Sequence, residues 1–93
     1  MAQFKVAIPT PLRSYTRGAA RVEVEVAGAP PRLRDVFDAL DAAYPGIRFR
    51  MVDEAGKVRP HIQVFVGMRV ERNPDATLAP GDEVMLVGAL SGG

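Results

Sequence analysis

Apolar and polar residues alternate along two stretches near the N-terminus. Phe4, Val6 and Ile8 alternate with Lys5 and Ala7 as far as Pro9-Thr10-Pro11, which predicts a strand over residues 3–8. Val22, Val24 and Val26 alternate with Arg21, Glu23 and Glu25, so a second strand has one buried face and one solvated face. The segment between them, Leu12-Arg13-Ser14-Tyr15-Thr16-Arg17-Gly18, is polar and glycine-bearing, and its length allows a hairpin with a wide loop.

The period then changes from two to 3.6. Pro30-Pro31 opens a helix, because a first turn has no partner for the N–H that proline lacks. Leu33, Val36, Phe37, Leu40 and Tyr44 recur at helical spacing, Arg34, Asp35, Asp38 and Asp41 lie mostly on the other side, and Pro45-Gly46 ends the helix. Arg48 to Val52 reads as a short third strand, followed by a turn at Asp53-Glu54-Ala55-Gly56 and a connection through Pro60. Ile62, Val64 and Val66 are the inward set of a fourth strand, and Val84 and Leu86 that of a last one. The polar stretch from Arg69 to Asp82 carries turns at Asn73-Pro74-Asp75 and Pro80-Gly81-Asp82.

This order, β-β-α-β-β-β, places one main helix on a mixed sheet of about five strands, with the first and last strands paired in its centre. That is an α+β fold of the β-grasp, or ubiquitin-like, kind. Residues 1–88 are expected to form the domain, with residues 89–93 a flexible C-terminal diglycine tail.

Composition narrows the function. At 93 residues there is room for one modest core and none for a built-in ATP-binding domain. The net charge is +1, and the ten Arg and two Lys are scattered rather than gathered in a stripe, so nucleic acid is not an expected partner. The longest apolar runs last a few residues and Lys5 interrupts the start, so no membrane span or signal peptide is expected and a cytoplasmic location is the default. The absence of Cys excludes a disulfide, a thiolate metal site and a thiol nucleophile.

Candidate chemistry is sparse until the end of the chain. No Gly-x-x-x-x-Gly-Lys-Ser/Thr and no Gly-x-Gly-x-x-Gly occurs, so nucleotide chemistry has to come from a partner. His61 is the single histidine, which rules out a two-histidine metal site, and it reads as an exposed residue at a strand edge. Asp35, Asp38 and Asp41 read as a solvated helix face rather than a cation site, so no metal ligands are expected. What is left is the Gly93 carboxylate, approached through Gly92. Two residues without a Cβ pass through a narrow cleft. A carboxylate is a poor electrophile until it gains a leaving group, and adenylation supplies one. Sulfur attack on the acyl adenylate leaves a thiocarboxylate, and amine attack leaves an amide. From Gly88 to Gly93 the chain spans about 20 Å when extended.

The β-grasp order with Gly81-Asp82-Glu83-Val84 and the terminal Gly92-Gly93 resembles the ubiquitin-like sulfur carriers, the group that includes the molybdopterin synthase small subunit and the thiamin sulfur carrier. Ile8-Pro9-Thr10-Pro11-Leu12-Arg13-Ser14-Tyr15-Thr16 and the long Asp53 to His61 connection are most similar to the branch with the cysteine-biosynthesis sulfur carrier of actinobacteria. The chain departs from that pattern at Arg17, where a glycine often follows the threonine, and at Gly67-Met68-Arg69, which replaces an Asn-bearing turn. The resemblance implies a protein cosubstrate rather than an enzyme. It would bind no cofactor of its own and be activated by a ubiquitin-activating-type adenylyltransferase using ATP and magnesium. Loaded with sulfur at Gly93, it would serve a sulfur-accepting synthase, either a cysteine synthase-like enzyme or a molybdopterin synthase large subunit. Two alternatives use the same residues: a modifier conjugated to lysines through the diglycine, and a non-catalytic β-grasp interaction module.

A docking face follows from the strand register. If Ile62, Val64, Val66, Val84 and Leu86 point inward, period-two alternation turns Phe65, Met85 and Val87 outward beside one another. These three, with Leu90 and Ser91 in the tail and Arg13 or Arg59 at the rim, are the expected partner contacts. The competing expectation is that the loop over residues 10–18, or a second copy of the chain, covers them.

Overall fold

The computed structural model describes residues 2–88. In chain order the elements are β1 (Ala2–Ala7), β2 (Arg21–Val26), α1 (Leu33–Ala43), α2 (Ile47–Met51), β3 (Ile62–Val66), β4 (Arg69–Val70) and β5 (Glu83–Gly88), with a 3₁₀ turn at Thr10–Leu12. The strands form one mixed sheet in the order β2-β1-β5-β3-β4. β1 and β5 run parallel in the middle, Val6 beside Val84, and the remaining pairs are antiparallel. The β-grasp order and its central pair are as the hydrophobic pattern predicts.

The inner face of the sheet is the core. Phe4, Val6, Val22, Val24, Val26, Ile62, Val64, Val66, Val84 and Leu86 are all buried, and Leu33, Val36, Phe37 and Leu40 of α1 are buried in the same cluster. Each such side chain contributes about 1.5–3 kcal/mol when fully removed from water. Strict alternation on β2, β3 and β5 is therefore what holds the register, because a slip of one residue would expose the whole apolar set.

Two sequence expectations are corrected. Arg48 to Val52 is no strand: Ile47 to Met51 form the short helix α2. Ile47 and Met51, four residues apart, are both buried, whereas Phe49, which a strand would place on their side, is 56% exposed. Gly46, at φ 97°, supplies the left-handed turn that leads into α2, and its α-hydrogen side faces the Tyr15 ring, only 3.2 Å from where a Cβ would stand. The fifth strand is instead β4, inside the stretch read as polar, joined to β3 by a turn at Gly67-Met68. The second correction is at Pro30-Pro31, which precede the helix rather than open it. The chain there pairs with the 73–78 segment, Pro31 accepting from Leu78 N–H and Arg32 bridging to Thr77. α1 starts one residue later, with the Asp35 carboxylate accepting the Arg32 N–H at 2.8 Å.

The three aspartates of α1 all have structural roles. Besides Asp35, Asp38 pairs with Arg48 at 2.9 Å, and Asp41 Oδ1 accepts the N–H groups of Gly46 (3.0 Å) and Arg48 (3.2 Å), fastening the end of α1 to the start of α2. No group of three metal-ligating side chains occurs among the described residues.

The β1–β2 loop folds back on itself. Leu12 is buried, and the buried Thr16 hydroxyl donates to the carbonyls of Arg13 and Ala19. The next residue, Arg17, has φ 57°, which explains why glycine suits this position. Left-handed backbone costs a residue with a Cβ about 1–2 kcal/mol. Arg17→Gly relieves that cost and loses part of the gain to unfolded-chain entropy. The variant is expected to be more stable by about 0.5–1 kcal/mol, measured by urea unfolding. A loss of stability would mean that the Arg17 side chain holds the loop.

Candidate functional site

Cross-strand register assembles the outer face in rows. One row is charged, Glu23 beside Lys5 beside Glu83. The next runs Arg21, Ala7, Met85, Phe65, Val70 across all five strands, and the one after it pairs Val87 with Gln63. At about 4.8 Å between strands, the apolar part from Ala7 to Val70 spans roughly 14 Å.

Phe65, Met85 and Val87 thus share the outer face, as the alternation predicts. Met85 and Val87 are 42% and 38% exposed, and Phe65, directly opposite Met85, is half-buried. The loop over residues 10–18 leaves them accessible. It lies beside the end of β5 instead, Pro11 and the preceding Pro9 both 3.8 Å from a Cβ built on Gly88, on the side of β5 that carries Val84 and Leu86. Between this loop and β5 runs a groove of about 620 Å³, lined by Ile8, Pro9, Pro11, Arg13, Met85 and Val87 among others. Val70 belongs to the same patch and was missed in the sequence, because a two-residue strand leaves no periodicity to read. The Gly67-Met68 turn was its one signal.

The two rim arginines part company. Arg13 lines the groove beside Met85 and Val87, its Nε donating to the Ile8 carbonyl at 3.0 Å. Arg59 lies instead with α2, stacked over the Phe49 ring at 4.7 Å and donating to the Phe49 carbonyl at 2.8 Å. Leu90, Ser91, Gly92 and Gly93 lie outside the described residues. The chain approaches them from Gly88, which pairs with Ile62 at the start of β3. His61, next in line, is exposed.

One further residue without a sequence signal secures this end of the sheet. Arg72 donates from one terminal nitrogen to the Ile62 carbonyl (2.7 Å) and to Gln63 Oε1 (3.0 Å), and from the other to the carbonyls of Val58 (3.0 Å) and Arg59 (3.1 Å). A planar fork of five donors suits such a cluster of acceptors.

Known structures share this architecture from end to end. A chain of the Amycolatopsis orientalis BexX/CysO complex is 30% identical, with 97% of this chain and 99% of that chain covered and a TM-score of 0.81. This chain belongs to the ubiquitin-like sulfur carrier family. CysO of Mycobacterium tuberculosis is 29% identical over 94% of this carrier and 99% of its own chain, with a TM-score of 0.80. SAMP1 of Haloferax volcanii is 27% identical over 98% and 99%, with a TM-score of 0.81. No family model matches the carrier, and no curated protein matches it by sequence. These neighbours are small carrier and modifier proteins rather than catalysts. No helix among the described residues of the carrier is long and apolar enough to cross a membrane.

Proposed function

We propose that this chain carries sulfur on its Gly93 carboxylate. A partner adenylyltransferase converts that carboxylate and Mg-ATP to an acyl adenylate and pyrophosphate. Hydrosulfide then displaces AMP at the acyl carbon, forming the C–S bond as the C–O bond to phosphate oxygen breaks, and leaves a thiocarboxylate. A synthase of cysteine or molybdopterin biosynthesis takes the sulfur, and water restores the carboxylate. The observation that carries this reading is the apolar row Ala7-Met85-Phe65-Val70 beside Val87, on the face next to the strand that leads to Gly92-Gly93, in a member of a sulfur carrier family. An apolar patch with polar surroundings is a docking surface for a protein. That a neighbour crystallised within a BexX/CysO complex supports the same idea.

The test is intact mass. Incubation with the adenylating partner, ATP and sulfide should exchange one oxygen for one sulfur in this chain. No exchange, with adenylation absent as well, overturns the proposal. A modifier role is the second reading, favoured by the 26% identical small archaeal modifier protein 1 of H. volcanii. Lys5 and Lys57 are the only side-chain amines here, so self-conjugation would use one of them or the N-terminus, and an isopeptide-linked ladder lost on Lys57→Arg or Lys5→Arg would favour this second reading.

Phe65→Ala should weaken binding to the adenylating partner by about 1 kcal/mol or more, since truncating a central aromatic anchor is costly. The fold should hold, because Phe65 faces outward. Calorimetric titration reads the first and thermal unfolding the second, and unchanged affinity would remove Phe65 from the interface.

A further inference from the structure

A second patch lies on α2 and the connection to β3. Phe49, Arg50, Arg59 and His61 line a pocket of about 250 Å³. Its two guanidiniums are held in the same way. Arg50 Nε donates to the Tyr15 hydroxyl at 2.7 Å, and Arg59 Nε donates to the Phe49 carbonyl at 2.8 Å. Both side chains are therefore anchored at Nε, while their terminal amino groups make no hydrogen bond among the described residues. The hydrogen bond to Tyr15 also raises the Arg50 pKa above its ordinary value.

Half of the other ten cationic side chains are neutralised within the chain: Arg21, Arg32, Arg34, Arg48 and Arg69 each pair with a carboxylate. Lys5, Arg13, Arg17, Lys57 and Arg72, like Arg50 and Arg59, have no carboxylate partner among the described residues, but of these Arg50 and Arg59 line one pocket together. Two oriented, unneutralised forks beside a histidine and a half-exposed ring form a receptor for carboxylates, which accept such forks in bidentate fashion.

We infer that the Phe49-Arg50-Arg59-His61 patch docks an acidic segment of a protein partner, Asp or Glu side chains seating on the two guanidiniums. Position selects a protein over a small anion. His61 immediately precedes β3 and continues the alternation of Gln63 and Phe65, so it stands two rows along from Phe65, next to the row of Val87 and Gln63. Ile62 pairs with Gly88, so the patch also flanks the strand end from which the C-terminal segment departs. A protein that receives that segment brings its rim across these residues. The identity of the partner rests on the carrier reading, but the recognition of acidic side chains does not.

The experiment is a titration of the full chain, followed by amide and arginine Nε–H NMR signals, with the peptide acetyl-Asp-Glu-Asp-Glu-Asp-Glu-amide at constant ionic strength. Saturable shifts are expected at Phe49, Arg50, Arg59 and His61. The double variant R50Q/R59Q should raise the dissociation constant by about tenfold, as loss of charge-assisted hydrogen bonds to two carboxylates requires. The control R32Q/R34Q lowers net charge equally at the exposed start of α1, beside Asp75, and should leave it within about twofold, since exposed charges outside the patch contribute little. No saturable shift, or equal weakening in both variants, overturns the proposal. Complete displacement of the peptide by inorganic phosphate at equal ionic strength would also overturn it, by making the patch a small-anion site. The carrier reading stands or falls separately, on the oxygen-to-sulfur mass exchange.

Discussion

Removal of Gly93, or addition of one residue after it, is expected to abolish sulfur loading altogether while the melting temperature stays within about 2 °C of wild type. The chemistry needs an acyl carbon at one distance from the docked body. With docking set by Met85, Phe65 and Val87, a shift of one residue moves the reacting carbon by about 3.5 Å, and misplacement by far less disrupts an in-line attack. The added residue also puts a peptide bond where the free carboxylate should be. Stability should hold because the buried core runs from Phe4 to Leu86, wholly on the N-terminal side of the change. Mass spectrometry after incubation with partner, ATP and sulfide reads the loss, and calorimetry reads the stability. Loading that survives the deletion would move the reactive group away from Gly93. A large drop in melting temperature would assign the segment a structural role.

Phe37→Ala should be among the most damaging single truncations in the chain, and Phe49→Ala among the mildest. Phe37 is 1% exposed on the buried side of α1, so its loss removes transfer free energy and leaves a cavity, about 3–5 kcal/mol together. A domain of this size has on the order of 5–10 kcal/mol in all, so the expected fall in melting temperature is roughly 15–30 °C. Phe49 is 56% exposed and touches chiefly Arg59, and its loss should cost about 1 kcal/mol or less. Urea unfolding of both variants measures the contrast. Equal losses would mean that α2 packs with a different face inward.

These two phenylalanines also show where sequence reasoning stops. Phe37 stands in a helical stripe of five apolar residues, and a stripe that long has one reading. Phe49 stands in Ile-Arg-Phe-Arg-Met, where apolar residues alternate as in a strand and also recur at i and i+4 as in a helix. Five residues are too few for periodicity to decide. The decision was made by the turn before it: Gly46 in a left-handed conformation, with its N–H and that of Arg48 held by Asp41, starts a new helix at Ile47. Neither contact is visible as a pattern.

The same division runs through the site. Alternation in β3 and β5 is enough to turn Phe65, Met85 and Val87 outward, because a strand with one buried face has no other register that keeps Val64, Val66, Val84 and Leu86 dry. Composition alone excludes chemistry at a cysteine thiol. Which outward residues become neighbours is a matter of strand order. Val70 joins the apolar row only because β4 pairs with β3, and Arg13 joins the groove only because the β1–β2 loop folds beside Gly88. Arg59 leaves that rim because α2, a helix rather than a strand, offers it Phe49. Local periodicity is a property of consecutive residues and survives in the sequence. The meeting of residues far apart depends on chain reversals through single left-handed glycines and hydrogen-bonded turns, and those are settled by the folded chain as a whole.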